Sequence, residues 1–447
     1  MLENRHFSRQ SQNLHSVTQQ YVAATNRDLS FPDFSQNFPY ATIDPEEARV
    51  IVPDERFDDL CKMYKPKSQV PANLTVYDIA GLTRGASTGA GLGNAFLSHI
   101  RAVDAIFQVV RCFDDAEIIH VEGDVDPIRD LNIISEELRI KDIEFTEKAL
   151  EAVTKQTKRG GQSLEMKKLK EDQATVEKVL ELLKSGKDVR RENWGPKEVR
   201  KLHSLLLSPS SFMMNQSYKL YNPSSLKLPH NRSEEYEKPS QLITLFIAPF
   251  LPVCSSRSAT NSQKVEVINP LFLLTAKPVV YLVNLSEKDY IRQKNKHLPR
   301  IAEWIKENAP GDPIIPISVC FEERLTTFDS EEAALEECKK LETKSALPKV
   351  ITTMRKVLNL GSFFTTGSDE VRQWTLRNGT KAPQAAGVIH GDFEKTFIQC
   401  VVYNYKVLKE LGDEASVKAQ GKVMTKGKDY IVEDGDIVLI KAGAAKS

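Results

Sequence analysis

The sequence predicts an α/β fold in which helices cover both faces of a parallel sheet. Short apolar runs alternate with helical segments along much of the chain, and several of these runs are apolar almost throughout. Continuous apolar runs are typical of parallel strands that are buried on both faces. The strand candidates are Arg49–Val52, Leu74–Asp78, Ala105–Arg111, Val279–Asn284 and Ile314–Ser318.

Length and composition are those of an ordinary globular protein. The 447 residues suffice for two or three domains, and 40% are hydrophobic and 27% charged. The 61 basic and 61 acidic side chains balance, so overall charge predicts no nucleic-acid or membrane partner. The longest apolar run, Leu242–Cys254, is too short to cross a bilayer. The six cysteines form no C-x-x-C pair, which argues against zinc and disulfides and favours a reducing, cytoplasmic location.

Two segments depart from the α/β pattern. Residues 1–36 are rich in Gln, Ser and Asn, contain no glycine and show little helical or strand periodicity. Residues 200–264 are dense in Ser, Asn, Pro and Gln, and no periodic element persists there. We therefore expect a poorly ordered extension and a disordered insertion at these places.

Residues 133–199 predict an inserted antiparallel pair of long, charged helices, with the turn at Arg159–Gly161. In the second helix apolar residues recur every seven positions, as in a coiled-coil seam. The predicted seam consists of Leu169, Val176, Leu180 and Leu183. Two interpretations remain open: a stabilising insertion with a solvated charged face, or an arm that binds a partner.

Residues 358–441 predict a small mixed β-sheet with one helix, of the β-grasp type. A strand at Val371–Trp374 leads through a turn into a helix that begins near Ala382, and later strands are expected at Phe397–Tyr403 and Ile437–Ile440. Arg377 and Lys381, close to Trp374 in sequence, could form an RNA-contacting patch, although exposed basic residues usually only solvate a surface.

The strongest functional signal is the D-x-x-G arrangement Asp78–Gly81 at the end of an apolar strand. In nucleotide switches of this form the carboxylate holds Mg²⁺ through water, and the glycine amide faces the terminal phosphate. Thr42, in the loop before this strand, can offer its hydroxyl to Mg²⁺ and its amide to a γ-phosphate. Asp78 alone would be an ordinary strand-end residue, and Gly81 an ordinary turn glycine. The complete run Asp78–Ala86 is much harder to explain by chance.

The phosphate-binding loop that this chemistry requires is missing. Its G-x-x-x-x-G-K-[ST] pattern cradles phosphates with backbone amides and a lysine. Gly81 is the first glycine of the chain, so no glycine-rich loop precedes it. The later Gly-Lys pairs at Gly186, Gly421 and Gly427 are never followed by Ser or Thr. Half of a nucleotide site is therefore recognisable, and the other half is absent.

Leu82 follows Gly81 at the position where many such proteins have a glutamine that orients the attacking water. Leucine cannot orient water, so hydrolysis would need another group. His120 is one candidate, because a neutral imidazole can accept a hydrogen bond from water near physiological pH. A lone histidine more often has a structural role.

Asn284-Leu285-Ser286-Glu287 ends a buried strand with an N-x-x-E sequence. A GTP-selective site would have N-K-x-D, whose aspartate accepts hydrogen bonds from guanine. Leu285 and Glu287 remove that recognition, so adenine becomes acceptable. Without this context the same residues would be a helix start with Ser286 as its cap.

Together these motifs resemble the Obg-like ATPases, the YchF subfamily of translation-factor-class P-loop NTPases. The resemblance extends from Asn37 to about Val199 and from Val265 to Lys441. It implies a G domain at 37–132 and 265–350, the helical insertion at 133–199, and a C-terminal TGS domain of β-grasp type at 358–441. It also implies hydrolysis of ATP in preference to GTP with Mg²⁺, and association with ribosomes or ribosomal RNA through the TGS and helical domains, with no DNA or membrane partner.

The resemblance assigns roles to individual residues. Thr42 and Asp78 match the Mg²⁺ ligands and Gly81 the second switch glycine, while Leu82 matches the hydrophobic residue that replaces the catalytic glutamine. His120 matches a histidine with a proposed catalytic role. The base-contacting residues are matched by Asn284, Leu285, Glu287 and Ser318.

The chain departs from the family pattern in two places. The first strand and phosphate-binding loop expected before Asn37 are replaced by residues 1–36, which leaves a gap in the parallel sheet. Residues 200–264 interrupt the segment that the family pattern would continue from Glu198 directly to Val265. Two hypotheses follow: an Obg-like ATPase, or a catalytically impaired protein that binds ribosomes or RNA without hydrolysis.

Overall fold

The computed structural model describes residues 21–25, 46–79, 103–115, 123–158, 164–192 and 273–443. The chain forms two compact units, one comprising Met1–Ile140 and Lys277–Ser447, the other Lys141–Ala276. Within the described residues, no helix is both long enough and apolar enough to cross a membrane.

The strands of the described residues are β1 (Tyr21–Thr25), β2 (Glu46–Ile51), β3 (Ser68–Val70), β4 (Asn73–Ile79), β5 (Ile106–Arg111), β6 (Val279–Asn284), β7 (Ile314–Ile317), β8 (Leu360–Thr365), β9 (Glu370–Arg377), β10 (Phe397–Asn404), β11 (Met424–Lys426) and β12 (Asp436–Ala442). The α-helices are α1 (Glu55–Tyr64), α2 (Pro127–Thr157), α3 (Leu164–Lys184), α4 (Glu287–Arg292), α5 (Leu298–Asn308), α6 (Val319–Thr326), α7 (Glu331–Lys340), α8 (Leu347–Val357), α9 (Ala382–Ile389), α10 (Gly391–Lys395), α11 (Tyr405–Leu411) and α12 (Glu414–Ala419).

The first sheet has the strand order β2-β4-β1-β5-β6-β7. β5, β6 and β7 are parallel, as the sequence predicted, whereas β2 and β4 form an antiparallel hairpin. Helices cover both faces, because alternate side chains of β6 enter different cores. Val280 and Leu282 pack with α8, while Tyr281 and Val283 pack with α5.

The strand β1 lies in the middle of this sheet, where the sequence predicted a poorly ordered extension and a gap. It pairs antiparallel with β4 on one side and with β5 on the other. The prediction for residues 1–36 is therefore wrong at Tyr21–Thr25. Tyr, Val and Thr favour strands, but a run of five residues is too short for its pattern to stand out from the polar sequence around it.

The second sheet has the strand order β11-β10-β12-β8-β9-β3. It is mixed, since β8 is parallel to β12, while β9 pairs antiparallel with β8 and β10 pairs antiparallel with β12. α9 packs three buried alanines against one face, and α1, α11 and α12 contribute to the core on the other. The strands predicted at 371–374, 397–403 and 437–440 all form.

One strand of the second sheet comes from outside the predicted 358–441 segment. β3 pairs in parallel with β9, with Ser68 opposite Glu370 and Val70 opposite Arg372. The sheet therefore contains an edge strand that the sequence did not predict, contributed by residues between β2 and β4. A three-residue strand has no sequence signature of its own, and its partner lies about 300 residues away in the chain.

The second unit contains residues 141–157 of α2 and the whole of α3. The two helices are antiparallel, since Glu147 pairs with Lys184 at 2.6 Å and Thr157 donates to Gln173 at 2.9 Å. Their core includes Val176, Val179 and Leu183, so Val179 occupies the place in the seam that was predicted for Leu180. The predicted turn at Arg159–Gly161 lies outside the described residues.

Candidate functional site

The carboxyl ends of β4, β5, β6 and β7 point to the same edge of the first sheet, which we call the carboxyl edge. The parallel register aligns Arg111 of β5 with Asn284 of β6, and Asn284 with Ile317 of β7. Ligands of open α/β sheets bind outside the carboxyl ends of the strands. All four residues that were predicted to contact the base lie at or just beyond this edge, namely Asn284, Leu285, Glu287 and Ser318. We call this part of the carboxyl edge the base side.

Asn284 is the central polar side chain on the base side of this edge. It is 3% exposed, and its Oδ1 accepts a hydrogen bond from the Val319 amide at 3.1 Å. This bond ties the end of β6 to the first turn of α6. Among the described residues, the Nδ2 amide of Asn284 has no hydrogen-bond partner, so the side chain can offer a donor to a ligand.

Glu287 is held in an ion pair. Arg324 of α6 lies 3.1 Å from the Glu287 carboxylate, and its other terminal nitrogen lies 3.3 Å from Glu337 of α7. The Arg324 guanidinium also lies over the Phe321 ring. Glu287 is therefore part of a charge cluster at the surface, in which Arg324 neutralises part of its charge.

Ser318 and Leu285 have structural roles at the same edge. Ser318 is fully buried and caps α6, because its Oγ accepts from the Phe321 amide at 3.4 Å. The Leu285 side chain is 1% exposed and packs in the core beside α5, and its amide donates to the Ile317 carbonyl. A ligand would therefore meet the backbone of Leu285 rather than its side chain.

Asp78 lies near the end of β4 and is 5% exposed. Through Val22 of β1, the register aligns it with Phe107 of β5, four residues before Arg111. Ordinary strand spacing and rise then place the Cα atoms of Asp78 and Asn284 roughly 20 Å apart. The two recognisable parts of the site are thus well separated, as an elongated ligand with a base at one end would require.

The direction of β1 decides what it can contribute. Tyr21 lies opposite Ile79 at the carboxyl edge, while Thr25 lies opposite Thr75, farther from it. The chain therefore leaves β1 on the side away from Asp78. A phosphate-binding loop follows the carboxyl end of a parallel strand and lies at the carboxyl edge. β1 fills the sheet, but it cannot deliver such a loop.

The residues present match only part of a Mg²⁺-nucleotide site. Mg²⁺ in such sites is held by one or two side-chain oxygens together with phosphates, and Asp78 can supply a carboxylate. The hydroxyl that follows the lysine of a phosphate-binding loop has no counterpart in the sequence. Within the described ranges, no group of three or more His, Cys, Asp or Glu side chains could hold a metal ion.

Several predicted residues lie outside the described residues, namely Thr42, Gly81, Leu82 and His120. The predicted basic patch near Trp374 is described, and both of its members have acidic neighbours. Lys381 lies 2.8 Å from Asp429, and Arg377 lies 4.0 Å from Asp104. Part of the positive charge of these two residues is therefore balanced by neighbouring carboxylates.

Two features of the base side were missed from the sequence: the Arg324–Glu287 ion pair and the bond from the Val319 amide to Asn284. Neither has a short-range pattern, since the residues lie more than thirty positions apart. Ser318 at the start of α6 was the one available signal, because serine before an apolar helix indicates a cap.

The comparisons with known proteins agree with this architecture. The family model YchF-GTPase_C, described as a protein of unknown function (DUF933), matches residues 360–443. This segment runs from the first residue of β8 to just beyond β12.

Much of the chain is similar to proteins described as Obg-like ATPase 1. The one from Saccharomyces cerevisiae is 55% identical over 412 residues, which is 92% of this chain and 88% of that protein. The one from Homo sapiens is 45% identical over 410 residues, covering 91% and 85%. A solved structure, described as that of the Schizosaccharomyces pombe YchF GTPase, has a TM-score of 0.69 and 54% identity and covers 91% of this chain and 90% of that one.

Proposed function

The chain belongs to the Obg-like ATPase (YchF) family of P-loop nucleotide hydrolases, and on this basis we propose that it binds ATP with Mg²⁺ in preference to GTP. The observation that carries the preference is the state of the two polar side chains on the base side. Within the part of the chain that the structure describes, the Nδ2 donor of Asn284 has no partner, whereas the Glu287 carboxylate lies beside Arg324.

A donor at Asn284 suits the N7 acceptor that adenine and guanine share. Guanine is normally distinguished by a carboxylate that accepts from its ring N–H and its amino group. Because Arg324 neutralises part of the Glu287 charge, that carboxylate attracts the guanine donors less strongly than an unpaired carboxylate would, and hydrogen bonds to charged groups contribute about 1.5–3 kcal/mol. Adenine has no such donors at these positions, so the site favours it.

The substitution Asn284→Asp tests this proposal. The carboxylate keeps an acceptor for the Val319 amide but replaces the Nδ2 donor with a second acceptor. We expect ATP affinity to fall at least tenfold, corresponding to about 1.4 kcal/mol. Titration of the purified chain with fluorescent ATP and GTP analogues in the presence of Mg²⁺ measures this.

The matched control is Asn378→Asp, the same chemical change in the second sheet, where Asn378 donates to Asn359. It should leave nucleotide affinity unchanged. Unaltered ATP binding by Asn284→Asp would exclude Asn284 from base recognition. Failure of the unsubstituted chain to bind either analogue at millimolar concentration would overturn the proposed function itself.

Hydrolysis in this proposal uses Thr42 and Asp78 at the metal and the Gly81 amide at the terminal phosphate. Leu82 cannot orient water, so His120 takes that role. We further propose that the chain acts at cytoplasmic ribosomes through its helical hairpin and second sheet, as the resemblance in sequence implies. Co-sedimentation of the purified chain with ribosomes tests that association.

A second candidate is a family member that binds its partner without turning over nucleotide. Two observations favour it: the sequence has no phosphate-binding loop, and β1 runs in the direction that cannot deliver one. Loss of a single hydrogen-bond donor to the transition state lowers kcat about 10²–10³-fold. The sequence lacks all the amides and the lysine that a phosphate-binding loop would supply.

The second candidate predicts that phosphate release from ATP by the purified chain equals that of the variant Asp78→Asn. The variant keeps the shape of the side chain and removes its charge, so it measures the background from contaminating enzymes. Steady turnover that Asp78→Asn abolishes would contradict the second candidate and restore the first in full.

A further inference from the structure

The residues that connect β2 to β4 pack against the second sheet. We call residues 52–72, which include α1 and β3, the interswitch connection, because they lie between Thr42 and Asp78 in the chain. β3 extends the second sheet beside β9, and α1 buries Phe57 and Leu60 in the core that contains Phe364 and Val371. The interswitch connection therefore links two strands of the first sheet and also forms part of the second sheet.

Gln373 of β9 binds both ends of the interswitch connection. Its Oε1 accepts from the Ala72 amide at 3.0 Å, and its Nε2 donates to the Asp54 carboxylate at 2.9 Å. The same Nε2 donates to the Ser362 hydroxyl at 2.9 Å. Gln373 is 3% exposed, and its bonds to Ala72 and Ser362 are buried, while its bond to Asp54 is partly buried. Any shift of the connection would leave buried polar groups unpaired.

Charged side chains reinforce this contact. Arg56 lies 2.8 Å from Asp54 and 3.1 Å from Asp434, which precedes β12. Farther along α1, Asp59 accepts from Tyr405 and Lys409 at 2.6 Å. The hydrogen bonds from Lys409 and Tyr405 lower the pKa of Asp59. The connection is thus attached to β8, β9, β12 and α11 at separate points.

The opposite end of the same hairpin carries Asp78. The Val52 amide donates to the Ala72 carbonyl at 2.8 Å, and from there β2 and β4 pair residue by residue until Glu46 lies opposite Asp78. Six residues of strand separate Ala72 from Asp78, a distance of about 20 Å. A displacement of this paired ribbon at Asp78 has to be taken up at Ala72, because the ladder permits no change of length.

We propose that the second sheet senses the nucleotide state of the first through the interswitch connection, with Gln373 as the residue that joins them. The proposal rests on the proposed function, because it takes Asp78 as the point where nucleotide acts. Nucleotide binding at Asp78 and the integrity of the Gln373 contact are then coupled, and coupling of this kind is reciprocal.

Hydrogen exchange of the full chain, followed by mass spectrometry, tests the coupling in both directions. In nucleotide-free protein, Gln373→Leu removes all three hydrogen bonds while keeping a similar volume. We expect it to speed exchange of the β4 amides at 74–78 about tenfold. The matched control Gln399→Leu, the same change on β10 of the same sheet, should leave β4 unchanged. Faster exchange confined to β3 and β9 would overturn the coupling.

The second arm adds a saturating, non-hydrolysable ATP analogue with Mg²⁺ to the unsubstituted chain. We expect slower exchange at 68–72 and 371–373 as well as in β4, and loss of the effect at 371–373 in Gln373→Leu. If the analogue binds by titration but protects β4 alone, the coupling is overturned while the proposed function stands. If the analogue does not bind, the proposed function fails and the sensing role fails with it.

Discussion

Ala23→Pro is expected to unfold the first sheet. Ala23 lies at the centre of β1 and pairs with Tyr77 on one side and Ile106 on the other. Proline removes a backbone donor and is tolerated only at sheet edges and bulges, so the ladder would break within a central strand. We expect a loss of about 3–5 kcal/mol in the free energy of unfolding, a large share of the ~5–15 kcal/mol typical of a domain.

Urea unfolding followed by circular dichroism measures this loss. The matched control is Ala23→Val at the same position, which keeps the amide and favours a strand, so it should change stability by less than about 1 kcal/mol. If Ala23→Pro unfolds at the same urea concentration as the unsubstituted chain, residues 21–25 are not a structural part of the sheet.

Arg355→Met is expected to have a comparably large effect at the junction of α8 with the second sheet. Arg355 is 7% exposed, and it donates to the Thr375 and Ser362 hydroxyls and to the Gly361 carbonyl. Burial lowers the pKa of its guanidinium, and the charges of Asp434 and Asp54 oppose that shift. Met would leave these three oxygen acceptors without the Arg355 donor, and at about 1–3 kcal/mol for each unsatisfied buried group we expect a loss of about 3–5 kcal/mol.

The matched control is Arg372→Met, the same change on β9 of the second sheet. Arg372 is half-buried and lies 4.1 Å from the Trp374 ring, a contact worth about 0.5–1 kcal/mol at an exposed site. Urea unfolding of the two variants should therefore differ by at least ~2 kcal/mol. Equal losses would mean that the three hydrogen bonds of Arg355 stabilise the protein no more than the single ring contact of Arg372 does.

Much of the architecture was predictable because its signals are local. The strands β4 to β7, the two long helices and the strands β9, β10 and β12 each follow from a run of residues whose pattern fits one element. The base-side residues were predictable for the same reason, since Asn284 to Glu287 and Ser318 directly follow two buried strands. Polar residues at the end of a strand can be identified because they directly follow that strand in the sequence.

The interactions of those residues were not predictable. Nothing near Glu287 indicates that Arg324 holds its carboxylate, and nothing near Gln373 indicates that it binds Asp54 and Ala72. These contacts join residues from 37 to more than 300 positions apart. Their existence depends on how helices and strands pack, and one sequence carries no record of that.

By itself, the sequence determined the elements, the family and the absence of a phosphate-binding loop. It did so because strand and helix patterns, Asp78–Gly81 and the positions of glycine are properties of neighbouring residues. Only the tertiary structure decided that Tyr21–Thr25 fills the first sheet, that it runs antiparallel, and that β3 belongs to the second sheet. Strand direction and partner choice are set by hydrogen bonds between distant segments, so they become defined only when the whole sheet is assembled.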